Sequence, residues 1–326
     1  MKTDNINVFM ASDENYASIT DVAIISMLEN TKSKVNLFLI NNAISAESCQ
    51  KIKNTVSKYH NATIEFLDVD INKTFSNFKT WQHVSITTFA RLLIPWIKPE
   101  IDRAIWVDGD VVFMDDISKL YTQDLEHFSI GAVKAIEIGD DLREKIYSLL
   151  DLDKRHTYFN AGVLLIDCKK LRDDKKLPDG FFEIERKYPN HLCADQDILN
   201  KYFENNYKRI EQKFNVTSCN INDFENQDEY NKTISNMIIR HFIGPEKPNN
   251  SINSISTSHL PSYYKFWQYG QKSEFFGEFL IKLFRKYGYE QRKTWINLFG
   301  LIPLLKIKKN KVLFLGILPI FTIKDY

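Results

Sequence analysis

The stretch WVDGDVVF, Trp106 to Phe113, ends an apolar run with two carboxylates, Asp108 and Asp110, separated only by Gly109. Arg103 to Val107 reads as a buried parallel strand, which places the pair at its C-terminal end. Residues i and i+2 of an extended chain point the same way, so both carboxylates aim at one point. Ligands of open α/β sheets bind just outside the carboxyl ends of strands. Two adjacent carboxylates repel unless a cation lies between them, and a hard divalent cation prefers such oxygen ligands. Gly109 lets the backbone approach a ligand closely. The alternative is a polar turn that ends a strand, with Asp in its usual turn role.

Working outward, strands and helices alternate through the first half. Ile6–Met10, Val35–Ile40 and Thr63–Leu67 read as strands, and Ala17–Asn30 and Ser45–Tyr59 as helices, the second opened by Ser45. A further helix is expected near Thr88–Trp96, stopped around Pro95 and Pro99. This rhythm predicts an α/β fold with a mostly parallel sheet and helices on its faces. Beyond it, Ser129–Ala135, Gly162–Ile166 and Met237–Phe242 read as strands and Asp195–Phe203 as a helix. Asn220–Ser235 reads as loop-rich and Asn249–Ser258 as a linker.

The 326 residues suit one large domain or one domain with an appendage. We expect residues 1–270 to form the main domain and 271–326 an extension. A net charge of +1 argues against a nucleic-acid binder. The charge is uneven, however: Arg285–Tyr326 carries nine Lys or Arg against two Asp or Glu, a net of +7. Within this tail LFGLIPLLKIK, 298–308, recurs sixteen residues later as FLGILPIFTIK, 314–324, with a basic turn from Lys308 to Lys311 between them. Neither apolar run approaches the roughly 20 residues of a spanning helix. A hairpin, or a pair of short amphipathic elements, is the expectation. Cys49, Cys168, Cys193 and Cys219 are scattered with no CxxC pair, and no N-terminal signal peptide is visible. A reduced, cytoplasmic setting follows as the expectation.

A third ligand for the carboxylate pair is available downstream. His241 ends the apolar run IIRHFIG and is followed by Gly244 and Lys247. A glycine turn with a nearby lysine suits a phosphate oxygen.

Six stretches, in order over about the first 250 residues, now carry a resemblance. They are VFMASDENYA (8–17), HVSITTFARL (83–92), WVDGDVV (106–112), YFNAGVLLI (158–166), DQDILN (195–200) and HFIGPEKP (241–248). Together they resemble family 8 of the retaining glycosyltransferases, particularly the bacterial lipopolysaccharide galactosyl- and glucosyltransferases. The resemblance implies a GT-A fold, a UDP-hexose donor and Mn²⁺ or Mg²⁺. It implies Asp108, Asp110 and His241 as metal ligands. It places Asp13, Asn15 and Tyr16 at the uridine, in the first strand-to-helix loop, with the donor-binding Ala11 and Ser12 just before them. Arg91, Asp108 and Gly109 fall near the donor, Gly244 and Lys247 at the diphosphate, and Asn160, Asp195 and Gln196 along the donor sugar. Read without the resemblance, Asp13 is a helix N-cap, Asn160 a turn residue and Arg91 a surface cation.

Retention calls for two displacements through a carboxylate, as in retaining glycosidases, or for same-face substitution. Gln196, an amide, is a poor nucleophile, which favours same-face substitution with Gln196 stabilising the reacting centre. Asp195 remains a candidate nucleophile, although binding of donor hydroxyls suits it better. Two departures stand out. Ala135 occupies a position where close relatives often carry a sugar-contacting Asp, with Glu137 nearby as compensation. Asn249 follows Lys247-Pro248 where the family commonly has Trp. Family members often carry a basic, apolar C-terminal region thought to touch membrane. The tail, with Phe299, Phe314 and Phe321, fits peripheral contact with the inner face of the cell membrane and a lipid-linked glycan acceptor, or else strands that cover the core or a dimer interface. Other readings are a protein- or self-glucosylating transferase and an inactive carbohydrate- or nucleotide-binding module.

Overall fold

A computed structural model describes residues 5–80, 85–244, 247–248 and 259–283. It also gives the backbone of four strands between 295 and 322. The 249–258 linker, the basic turn at 309–310, Phe299, and the first two residues of the 83–92 motif lie outside the described residues.

Strand β1 (Ile6–Asp13) is apolar on both faces. Ile6, Val8 and Met10 enter one core cluster, and Phe9 enters the other. This is the pattern of a strand covered on both sides. β1 pairs in parallel with β2 (Val35–Asn42) and β4 (Arg103–Val107), and β2 with β3 (Ala62–Leu67). Beyond β4 the direction changes. β7 (Phe159–Asp167) runs antiparallel to β4 and to β6 (Ile130–Lys134), and β8 (Lys208–Arg209) pairs in parallel with β6. The seven-stranded order is β3-β2-β1-β4-β7-β6-β8. The sheet is mostly parallel, as the alternation predicts, with the antiparallel β7 set into its middle. β5 (Val111–Phe113) and β9 (Ile239–His241) form a separate antiparallel ribbon just past the carboxylate pair.

Several local expectations need correction. No loop separates β1 from helix α1 (Glu14–Asn30): Asp13 is both the last strand residue and the N-cap, accepting from the Tyr16 N–H at 3.1 Å. The capping bond removes the need for a connecting segment. Helix α2 (Ala46–Ser57) is capped by Ser45 as expected. The segment expected as a helix near 88–96 is a 3₁₀ turn, Ile86–Leu93, followed by a short helix, Ile94–Ile97. Pro95 lies in the first turn of that helix rather than stopping one, a position where its missing N–H costs nothing. The polar 220–235 stretch contains a helix, Gln227–Ser235, capped by Asn226.

Two apolar layers flank the sheet. α1 is buried along nearly its whole length between the sheet, α2 and the helix Leu260–Gly270. On the other face Phe75, Phe78 and Phe89 pack edge-on and stacked beneath β1 and β4. The core runs on past residue 270. Phe275 and Phe279 are buried in the α1 cluster, and the Ser273 hydroxyl donates to the buried Asp21 at 2.5 Å.

The tail repeat is a structural repeat. β10 (Trp295–Leu298), β11 (Ile302–Lys308), β12 (Lys311–Phe314) and β13 (Leu318–Thr322) form an antiparallel sheet in that order. The two hairpins share one register: Trp295 pairs with Lys306 as Lys311 pairs with Thr322. Each also has its irregularity one step on, at 296/297 and at 312/313. Among the described residues, no helix is long and apolar enough to cross a membrane. All four cysteines are free thiols.

Candidate active site

β4 ends at Val107, and the chain turns through Asp108-Gly109-Asp110 into β5. Two backbone bonds fix that turn: Asp108 N–H to the Gly162 carbonyl and Phe242 N–H to the Asp110 carbonyl, each 2.8 Å. The β5–β9 ribbon sets Val111 opposite His241 and so swings the imidazole under the carboxylates. Ligand atoms of Asp108, Asp110 and His241 lie within 4.8 Å of one another. His241 Nε2 stands 3.2 Å from Asp110 Oδ1 and 3.8 Å from Asp108 Oδ2. The packing leaves no room for a larger residue at Gly162, where a Cβ would come 2.2 Å from His241 Cε1 and 2.9 Å from Asp108 Oδ2.

The donor set fits a divalent cation. His241 Nδ1 lies 3.1 Å from Asn215 Oδ1, and the Asn215 amide nitrogen donates to Asn160 Oδ1 at 2.8 Å. Asn215 therefore presents only its oxygen to the ring, so Nδ1 carries the proton and Nε2 faces the two carboxylates. This is the usual outer hydrogen bond of a metal-ligating histidine. Burial by itself lowers the affinity of His241 for a second proton, but Asp110 and then Asp108 raise it overall. Burial likewise works against the charge on Asp110, yet His241 and Lys247 hold its carboxyl well below the usual range. The group is built for positive charge at its centre.

Arg91 is not a surface cation. It is buried, with its guanidinium 2.7 Å from Asp108 Oδ1 and 2.8 Å from Asp195 Oδ2, over the Trp106 ring at 4.7 Å. It also donates to the Ala161 and Thr88 carbonyls. Trp106 Nε1 adds a bond to Asp108 Oδ1 at 3.0 Å, leaving Oδ2 for the cluster. Asp195 accepts from Thr88 Oγ1 at 2.6 Å. Burial pushes the Asp195 carboxyl up to about 6, partly offset by Arg91 and Thr88.

These groups line a cleft of about 520 Å³ at the carboxyl ends of β1 and β4, within the range of small-molecule sites. Ala11, Ser12, Asp13, Tyr16, Arg91, Asp108, Gly109, Asp110, Asn160, Asp195, Gln196, His241 and Gly244 all border it. Gly244, at φ +58°, holds a left-handed turn that side chains disfavour. Lys247 reaches in over the Tyr16 ring at 4.5 Å, donates to the Tyr16 hydroxyl and stands 3.0 Å from Asp110 Oδ2. Asn15 is exposed in the first turn of α1 and does not border the cleft. Asn160 is a buried strand residue rather than a turn residue. Gln196 Oε1 accepts from the Ala161 N–H at 3.0 Å. Sequence reasoning missed Asn215 and Gly162, and it did not foresee Trp106 as a partner of Asp108.

A mostly parallel α/β sheet with an acid pair at the end of β4, a histidine brought to it by the β5–β9 ribbon and a cleft of this size has the architecture of a GT-A glycosyltransferase. Residues 7–253 match the family profile described as Glycosyl transferase family 8. The chain belongs to this family and is a glycosyltransferase. It is 29% identical over 247 residues to a putative glycosyltransferase of Haemophilus influenzae, covering 75% of this chain and 73% of that protein. It is 25% identical over 256 residues to a lipopolysaccharide 1,3-galactosyltransferase of Salmonella typhimurium, covering 75% and 73%. Among solved structures, the galactosyltransferase LgtC in complex with donor and acceptor sugar analogues shares the fold. Its TM-score is 0.70 at 24% identity, over 82% of this chain and 96% of that one.

Proposed function

We propose that the chain transfers a hexose, galactose or glucose, from a UDP-sugar to a glycan acceptor with retention of configuration, aided by Mn²⁺ or Mg²⁺. The observation that carries this reading is the convergence of Asp108, Asp110 and His241 beside Asp195 and Gln196 in one cleft. A divalent ion held there supplies Lewis-acid stabilisation of charge on a leaving diphosphate. Lys247 is placed to clamp the same diphosphate, and Gly244 lets the chain turn tightly around it. Ala11, Ser12, Asp13 and Tyr16 form the end of the cleft suited to the nucleoside.

Asp195 is committed to Arg91 and Thr88. Gln196 is an amide whose oxygen holds a backbone N–H. Neither is a free nucleophile, which supports same-face substitution. Asp195 then orients donor hydroxyls, and the departing phosphate oxygen takes the acceptor proton. The names of the lipopolysaccharide-modifying relatives support a surface-glycan acceptor. The +7 tail supports a lipid-linked acceptor met at the inner face of the cell membrane.

The test is UDP release from a panel of UDP-sugars, with Mn²⁺ and with chelator. Mn²⁺-dependent release from UDP-galactose or UDP-glucose is expected. A silent panel together with UDP binding indifferent to Mn²⁺ sinks the reading.

A further inference from the structure

The sugar end of the cleft holds two carboxylates in unlike situations. Asp195 is neutralised by Arg91. Glu137 also borders the cleft, partly exposed, and makes no ion pair with any described residue. Its oxygens are held by neutral donors: Asn160 Nδ2 at 2.6 Å on Oε1 and Thr217 Oγ1 at 3.1 Å on Oε2.

These donors are fixed in turn. Asn160 Oδ1 accepts from the Gly162 N–H and from Asn215 Nδ2, each 2.8 Å, so its amide nitrogen is the end that faces Glu137. A single chain of donors therefore runs from His241 through Asn215 and Asn160 and terminates on Glu137. A carboxylate offers about four lone-pair positions, and one is used on each oxygen. The remainder, on a rigidly held anion at the cleft wall, accept hydroxyl donors and repel anions. Ala135 does not compete for this role. It is buried in an apolar cluster with Ile138, Ile146, Leu150 and Tyr158.

We propose that Glu137 takes a hydroxyl of the donor sugar and selects a neutral hexose over a hexuronate. The inference rests on the nucleotide-sugar reading above. A hexuronate carries a carboxylate at C6, and placing it beside the unpaired Glu137 sets like charges together at the cleft wall. A neutral hexose instead donates a charge-assisted hydrogen bond.

The test is calorimetric titration of the Mn²⁺-supplemented protein with UDP, UDP-galactose, UDP-glucose and UDP-glucuronate, in wild type and in Glu137→Gln. Glutamine keeps the shape and the bond from Asn160 while removing the charge. Wild type is expected to bind UDP-glucuronate about tenfold more weakly than its better UDP-hexose, and the variant to narrow that gap to about threefold or less. UDP itself, which lacks the sugar, is expected to bind both proteins alike. A gap that is absent in wild type, or unchanged in the variant, overturns the proposal. So does an equal loss for UDP and for the hexose, which marks a purely structural role. Failure of wild type to bind even UDP removes the nucleotide-sugar reading itself, and that outcome is distinct from a lost preference.

Discussion

Arg91 touches Asp108 and Asp195 at once, at 2.7 and 2.8 Å, and so joins the carboxylate beside Asp110 and His241 to the carboxylate beside Gln196. Removing one partner of a buried ion pair leaves an uncompensated charge, which costs about 3–5 kcal/mol. Arg91→Met is expected to lose stability of that order in urea unfolding. Arg91→Lys has one nitrogen where Arg91 uses a fork. It is expected to keep the fold but to weaken Mn²⁺ and sugar binding together. A Lys variant that weakens only one of them contradicts the bridging role.

Gly162→Ala presses a methyl group into His241 and Asp108. We expect Mn²⁺ affinity to fall by about tenfold or more, the scale of disturbed outer-shell support. Electron paramagnetic resonance of free Mn²⁺ reads this directly. Unchanged affinity shows that the cluster is not where the ion binds.

Lys247 lies on Asp110 Oδ2, a carboxylate that a cation held at the cluster would also need. Lys247→Met is expected to bind Mn²⁺ more tightly without nucleotide and UDP more weakly, by several-fold each, since one competing cation and one phosphate partner disappear together. Movement of both affinities in the same direction argues against the competition.

Asp21 tests the electrostatics away from the cleft. Burial pushes its carboxyl up to about 6, against bonds from Ser273 and Thr55. A raised native value means that the folded state binds the proton more tightly than the unfolded chain. The stabilisation is therefore full below about pH 4 and is lost as pH rises through about 6. The stability of wild type relative to Asp21→Asn is expected to fall by up to roughly 3 kcal/mol between pH 4 and pH 7. A difference that does not vary with pH contradicts the burial of a charged Asp21.

If the tail meets the membrane, deletion of residues 284–326 abolishes co-sedimentation with anionic vesicles, and added salt weakens it in the full chain. Retention of binding by the truncated chain would place the lipid contact elsewhere.

The parallel half of the fold was legible because its central strands are apolar on both faces. Ile6, Val8 and Met10 on one face and Phe9 on the other mark β1 as doubly covered. The antiparallel β7 was not legible, because an apolar strand bears no mark of its direction in the sheet. The grouping of Asp108 and Asp110 was legible from residue type and spacing, since two carboxylates one residue apart demand an explanation. The inward turn of Arg91 was hidden: Thr87, Thr88 and Phe89 would equally precede a solvent-facing arginine. Asn215 was invisible for a different reason. Its role is created when β9 pairs with β5 and brings His241 to it, a contact between positions 26 residues apart. Gly162 lies inside an apolar strand, where a glycine signals close approach without naming what approaches.

The two tail hairpins repeat their pairing residue for residue, including the irregularity, at a spacing of sixteen. Each hairpin makes the same edge that it docks onto. Duplication of one whole unit therefore preserves every existing strand pair and adds a new one in a register already specified. Loss or gain of an odd number of residues within a strand slips that register and turns the strand over. A C-terminus built this way can lengthen in steps of one hairpin without refolding anything upstream.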